Sequence, residues 1–292
     1  MRLAFGRRGR VHARRVMRGE RGAPGWPPIV CSPPGPREEI TIDVVVLGRG
    51  ASVTRARTLE NGVDLLLHVP SSVHIVPGHV ATVVLTGGSR RRGRVYGAEL
   101  RALRVDVAAL GLPQMQVHDH GLYAASVSPS EGQRTQAPRI AYAMKQVLPW
   151  HAEEEDPILE SIARRERGDL RSAGALLVDM LRRDLRCIDA HAHLGNLAFL
   201  RCAEHARAHY EVGIAIGDHA LGPDFRGVLP WSYVGNRPFL RCLHGLGLSL
   251  WRRERLNEAA QVFERLLSLN PTDQQRAGQC LKDVRAGRVW ED

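Results

Sequence analysis

Apolar and polar positions change rhythm three times along the chain. Residues 1–39 show no period: arginines, glycines and prolines mix, with Ala23-Pro24-Gly25-Trp26-Pro27-Pro28 and then Ser32-Pro33-Pro34-Gly35-Pro36. Such a stretch buries too little apolar area to offset its ordering entropy, so a disordered basic tail is expected. From residue 40 short β-branched runs set in. Ile40–Leu47 ends at Gly48-Arg49-Gly50, Val63–Val69 follows the turn pair Asn61-Gly62, and His79–Thr86 stops at Gly87-Gly88-Ser89. Arg94-Val95-Tyr96 and the alternating Leu100–Val107 add two candidates. Short strands punctuated by Gly, Asn and Pro predict a small antiparallel β barrel or sandwich over residues 40–112. Residues 113–155 lack sustained periodicity and read as a linker with a short helix near Arg139–Leu148. Residues 156–292 read as helices throughout. The expected fold class is therefore α+β, a small β domain followed by an all-α solenoid.

The helical half carries an internal repeat. Counted from Leu240, the residues Leu243, Leu246, Gly247, Leu250, Ala259, Phe263, Leu266 and Pro271 fall at positions 4, 7, 8, 11, 20, 24, 27 and 32. Small residues at Gly247 and Ala259 let two antiparallel helices approach. Leu246, Leu250 and Phe263 then fill the seam, and Pro271 ends the second helix. An earlier unit shows Leu194-Gly195, Ala198, Ala206 and Tyr210, and a weaker one Gly168-Asp169, Ala173, Leu177 and Met180. The first two starts, 154 and 188, lie one 34-residue step apart; the third, at 240, follows an insertion that includes Gly217–Asn236. Val284–Trp290 is expected as a capping helix, with Trp290 covering the end of the core.

This pattern resembles the tetratricopeptide repeat, a helix–turn–helix unit. Leu229–Arg241, running on to Leu248, and Asp189–Asn196 are similar to bacterial cytoplasmic proteins of that class with a strand-rich N-terminal domain. The resemblance covers roughly residues 40–292 and implies a scaffold or adaptor with about three repeats and no reaction. By analogy with the family, positions 2, 5, 9, 12 and 13 of each unit line a concave groove. Here they are Asp189, Ala192, Asn196, Phe199 and Leu200, then Arg241, His244, Leu248, Trp251 and Arg252. The candidate partner-binding residues are Asn196, Arg241, His244, Trp251 and Arg252, a mixture suited to an extended peptide or a helix. Some relatives clamp a peptide carboxylate with Asn and Lys. Asn196 matches one clamp position, the lysines are absent, and only Arg241 or Arg252 stands in for them. The insertion with Trp231 and Tyr233 is expected to pack back on the helices.

Charge refines this picture. The 292 residues hold 41 basic and 31 acidic side chains, a formal charge of +10. Residues 1–37 contain nine arginines against Glu20 and so carry most of that excess. Net charge alone is thus no argument for nucleic acid. Only Lys145 and Lys282 are lysine, an imbalance with no physical need behind it. Five scattered cysteines without a CxxC pair suggest reduced thiols and a cytoplasmic chain. No run approaches the roughly 18 apolar residues of a membrane span. The Arg-rich start lacks the apolar core of a secretory signal; a mitochondrial transit peptide and an upstream start codon both remain open.

Catalytic and metal motifs are not found. His205 and His209 share a helix face, but Ala206 stands where a zinc protease carries Glu, and a surface pair is expected. His191 and His193 lie about 200° apart around a helix and cannot share an ion. His118-Asp119-His120 sits in an expected loop. There is no GxSxG, Walker A loop or complete GxGxxG. Glu153–Asp156 reads as a helix start, acids suiting its positive end. No cofactor, metal or enzymatic activity is expected. The alternative function is an RNA-associated factor using Arg90, Arg91, Arg92 and Arg94 on a turn of the β domain, together with the tail. Tyr96 is the single Tyr, Trp or Phe between residues 40 and 112 available for base stacking.

Overall fold

The computed structural model describes residues 39–50, 53–70, 72–89, 95–123, 138–150 and 156–291. The expected tail up to Glu38 and the turn Arg90, Arg91, Arg92 and Arg94 lie outside the described residues.

The architecture is α+β. Five strands, β1 (Ile40–Arg49), β2 (Thr54–Thr58), β3 (Asp64–His68), β4 (His79–Ser89) and β5 (Val95–Val105), close into a barrel in the order β1-β2-β3-β5-β4. All neighbours are antiparallel except β3 and β5, which run parallel through Leu66–Val95 and Leu67–Tyr96. The two strand candidates near Tyr96 and Leu100 are one strand. It keeps pace with β4 through irregularities at Thr82/Val83 and Leu85/Gly87. Val44, Val46, Ala56, Leu67, Ala81 and Val83 fill the barrel. β1 keeps an unbroken apolar stretch over residues 44–47 because both of its faces are covered there. Val44 and Val46 point inward, while Val45 packs outside against Leu177 and Leu181.

The stretch 113–155 is not simply a linker. β6 (Val117–Leu122) and β7 (Ile140–Met144) form an antiparallel ribbon, so the helix expected near Arg139–Leu148 is a strand. The cause is tertiary. The Tyr142 amide donates to Val228 O (2.9 Å), the Val228 amide to Ile140 O (2.8 Å), and the buried Asn236 receives the Met144 amide (2.9 Å). Asn236 Nδ2 also donates to the carbonyls of Tyr142 and Pro230. The insertion between the helices thus bonds to the other edge of β7 through an isolated parallel bridge, Ala141 with Val228, and Tyr233 stacks on His120 at 4.5 Å.

Seven helices follow: α1 (Pro157–Glu166), α2 (Leu170–Arg183), α3 (Ile188–Phe199), α4 (Ala203–Leu221), α5 (Arg237–Arg252), α6 (Leu256–Leu269) and α7 (Ala277–Arg285). Asp156 caps α1 through the Ile158 amide and Asp169 caps α2 through the Ser172 amide. Each repeat unit read from the sequence contains one helix pair, and α7 follows the last pair. The capping helix ends at Arg285; Gly287, at φ +69°, turns the chain and Trp290 comes back as irregular backbone. Aromatic rings sit against glycines between helices. The Tyr210 ring lies between Gly195 of α3 and Gly245 of α5, where a Cβ on either would overlap it. A Cβ on Gly247 would fall 2.6 Å from Phe263. The barrel joins the helices as closely: a Cβ on Gly78 (φ +89°) would meet Val212 of α4 at 2.6 Å.

Candidate functional site

Helical periodicity brings Asn196 on α3 and Arg241 and His244 on α5 to one cavity. With Phe199, Tyr210, Leu248 and Gln275 they line about 260 Å³. That is smaller than a typical small-molecule cleft and suits one or two side chains of a polymer. The Tyr210 hydroxyl donates to Asn196 Oδ1 at 2.8 Å, which fixes the amide. Arg241 donates to Asp189 Oδ1 at 3.1 Å and lies 5.7 Å from the Trp231 ring centroid, opposite Arg237 at 5.5 Å. Asp189 also faces His193 Nε2 at 3.5 Å.

Two polar atoms of the cavity are left over. Among the described residues, the buried His244 Nε2 and Gln275 Oε1 have no hydrogen-bond partner. Burial holds His244 below the ordinary histidine value, keeping it neutral at physiological pH. An unmade bond at a buried polar atom costs about 1–3 kcal/mol. A guest carrying both a donor and an acceptor, as every peptide unit does, removes that cost.

Trp251 and Arg252 do not line this cavity. Trp251 Nε1 donates to the Arg288 carbonyl at 2.7 Å, and Trp290 packs edge-on against both Trp251 (5.2 Å) and Phe199 (5.6 Å). The chain's own C-terminal segment therefore covers the groove position that the repeat assigns to Trp251. Arg252 donates to the Phe199 carbonyl at 2.6 Å and stacks over its ring, closing the end of α3. Tyr210, Gln275 and Trp290 are the groove residues that sequence reasoning missed. Tyr210 enters the sequence reading only as a match to the repeat pattern, and its hydroxyl is signalled only by Asn196 fourteen residues earlier. Gln275 and Trp290 lie beyond the last repeat, where periodicity carries no signal.

The histidines are arranged differently from their expected surface pair. His209 is buried against His191 with the two Nδ1 atoms 3.4 Å apart, and His205 sits 5.2 Å from the His209 ring. His79 and His74 approach the same cluster from the barrel side, His74 at 6.1 Å from His205. Burial and mutual repulsion depress the histidines, His79 to about 4 and His191 to about 3. Among the described residues no three His, Cys, Asp or Glu side chains are placed to hold a metal ion. His118 and Asp119 are exposed on β6. Burial pushes the Cys187 thiol up to about 12 and Cys242 in the same direction, so neither is an activated nucleophile.

Two larger clefts flank Arg139, of about 970 and 810 Å³. Their charges are already engaged. Arg139 donates to the carbonyls of Arg226, Gly227 and Ser268, and Arg265 pairs with Asp218. These arginines fasten the insertion to α6. Among the described residues no helix is long and apolar enough to cross a membrane. No protein-family model matches the chain, and no curated protein matches it.

Proposed function

We propose that the protein is a non-catalytic adaptor of tetratricopeptide-like design, whose helical groove binds an extended peptide at Asn196, Arg241, His244 and Gln275. The observation that supports this is the seating of residues 288–290. An irregular segment already lies against the groove, one main-chain carbonyl held by Trp251 and one aromatic side chain lodged beside Phe199. A partner's segment would continue that mode into the adjoining cavity, satisfying His244 Nε2 and Gln275 Oε1. The four described cysteines are free thiols, which suits a cytoplasmic adaptor.

The test is selection of peptides from a displayed library on the immobilised full chain, with affinities then measured by fluorescence anisotropy. Gln275→Ala removes an oxygen without a partner, so its thermal melt stays in place while peptide affinity falls roughly tenfold; His244→Ala weakens the peptide similarly but also lowers the melt, because its buried ring packs near Phe263. A library that enriches no peptide, or affinities indifferent to both substitutions, refutes the reading. Salt-sensitive binding of single-stranded RNA, lost on Arg90–Arg92→Ala, would favour the RNA-associated alternative. The described barrel offers that alternative little: Arg55, Arg57, Arg101 and Arg104 are each paired with a carboxylate.

A further inference from the structure

Barrel and helices enclose a cleft of about 790 Å³ between the end of β1, the segment before β4, and α2, α3 and α4. Its charged lining is cationic. Arg49, Arg171 and Arg201 converge there with His74 and His205, and no carboxylate is among the described residues that line it. Arg49 spends its donors on the carbonyls of Pro70 and Val73, so its charge meets no acid. Arg171 and Arg201 are exposed and have no ion pair or hydrogen bond among the described residues. The carboxylates nearest in sequence are committed elsewhere: Asp169 caps α2, and Glu204 holds Arg207 and Arg253. His205 registers the resulting field. After burial itself, the neighbouring His74 and Arg49 hold it below the ordinary histidine value.

The remaining wall is aliphatic. Val73, Leu170, Val178, Leu194 and Leu197 supply it, and it contains no Phe, Tyr or Trp. A guanidinium group matches carboxylate and phosphate equally well. An aliphatic wall favours an alkyl chain over a base, which gains its binding from stacking on aromatic rings. The volume lies in the range of small-molecule clefts.

We propose that this cleft binds an aliphatic organic anion, an acyl or alkyl chain ending in a carboxylate or a phosphate. The chain lies along Leu170, Val178 and Leu197, and the head group is taken by Arg171 and Arg201 beside Arg49. This site is independent of the peptide groove.

Isothermal titration calorimetry on the full chain tests it with four probes below their micelle concentrations: decanoate, decyl phosphate, decan-1-ol and ATP. Saturable one-to-one binding of decanoate or decyl phosphate is expected, with decanol roughly tenfold weaker. The tighter of the two acids identifies the head group. Arg171→Gln/Arg201→Gln replaces two exposed, unpaired side chains, keeps the thermal melt, and weakens the acid roughly tenfold. That variant separates the cleft from the other arginines of the chain. His244→Ala leaves acid binding unchanged, which distinguishes this site from the groove. Failure of both acids to saturate, equal binding of decanol, tighter binding of ATP, or indifference to the double substitution would each overturn the proposal.

Discussion

Mild acid is the perturbation that most directly probes the join between barrel and helices. His79 and His191 are buried there, with values depressed from 6.5 to about 4 and about 3. His209 is shifted in the same direction by burial, by His191 and by His205. A base depressed in the folded state binds its proton more readily when unfolded. Stability is therefore complete above pH 6.5 and is lost as pH falls from 6.5 toward the folded values. Each such histidine contributes about 1.4 kcal/mol per pH unit in that window. Going from pH 7.5 to 5.5, His79 and His191 together remove about 3 kcal/mol, and His209 adds to the loss. That is a large share of a typical 5–15 kcal/mol. Among the shifted carboxylates of the described residues, only Glu211 opposes the effect. The lowered carboxylates Asp43, Asp64, Asp184 and Glu204 begin from ordinary values of 3.8 to 4.5 and titrate below the window. Glu211, raised by burial, works in the opposite sense. The assay is urea unfolding followed by far-ultraviolet circular dichroism at half-unit steps of pH. A midpoint that falls with acid at constant slope is expected, and His79→Gln should return roughly 1 kcal/mol of the loss. Stability flat between pH 7.5 and 5.5 would refute the buried, neutral cluster.

Three substitutions test the packing that positions the groove. Asn236→Ala leaves the Met144 amide and two carbonyls without their partner, and should cost about 2–4 kcal/mol in urea unfolding. Gly195→Ala drives a methyl into the Tyr210 ring and should cost about 1–3 kcal/mol; a double-mutant cycle with Tyr210→Ala should show most of that cost vanish. Trp290→Ala removes two edge-on ring contacts, should lower the melting temperature by a few degrees, and should strengthen binding of library-selected peptides by opening the groove beside Phe199.

The helices were legible because their code is local. Gly195, Gly247, Ala206 and Ala259 must be small wherever one helix crosses another, and Asp156 and Asp169 mark helix starts by side-chain oxygens. Strands β1 and β4 were legible for a similar reason, since β-branched residues concentrate in them, as at Val44-Val45-Val46 and Thr82-Val83-Val84. The closure of the barrel was not, because the parallel pairing of Leu66 with Val95 joins segments with no turn between them to advertise it. The β6–β7 ribbon was hidden for a stronger reason. Ile140–Met144 pairs with β6 on one edge, and on the other its main-chain bonds are accepted and donated by Val228 and Asn236, some ninety residues later.

The candidate site divides along the same line. Asn196, Arg241 and His244 meet because helical spacing turns them to one side of α3 and α5, and that spacing is visible in the chain. What the spacing cannot express is the competition for those positions. Trp251 has the residue type and register of a groove contact, yet Trp290 and the Arg288 carbonyl have already taken it. Arg252 has the charge of a clamp, yet the Phe199 carbonyl engages it. Both are claimed by partners that come from outside the repeat unit. His244 and Gln275 differ: each retains a buried polar atom without a hydrogen-bond partner among the described residues. A repeat therefore sets which residues face the groove, and the chain beyond the repeat sets which of them stay available. On the adaptor reading proposed above, a peptide would gain most at the cavity around His244, because there its bonds would replace none already made among the described residues.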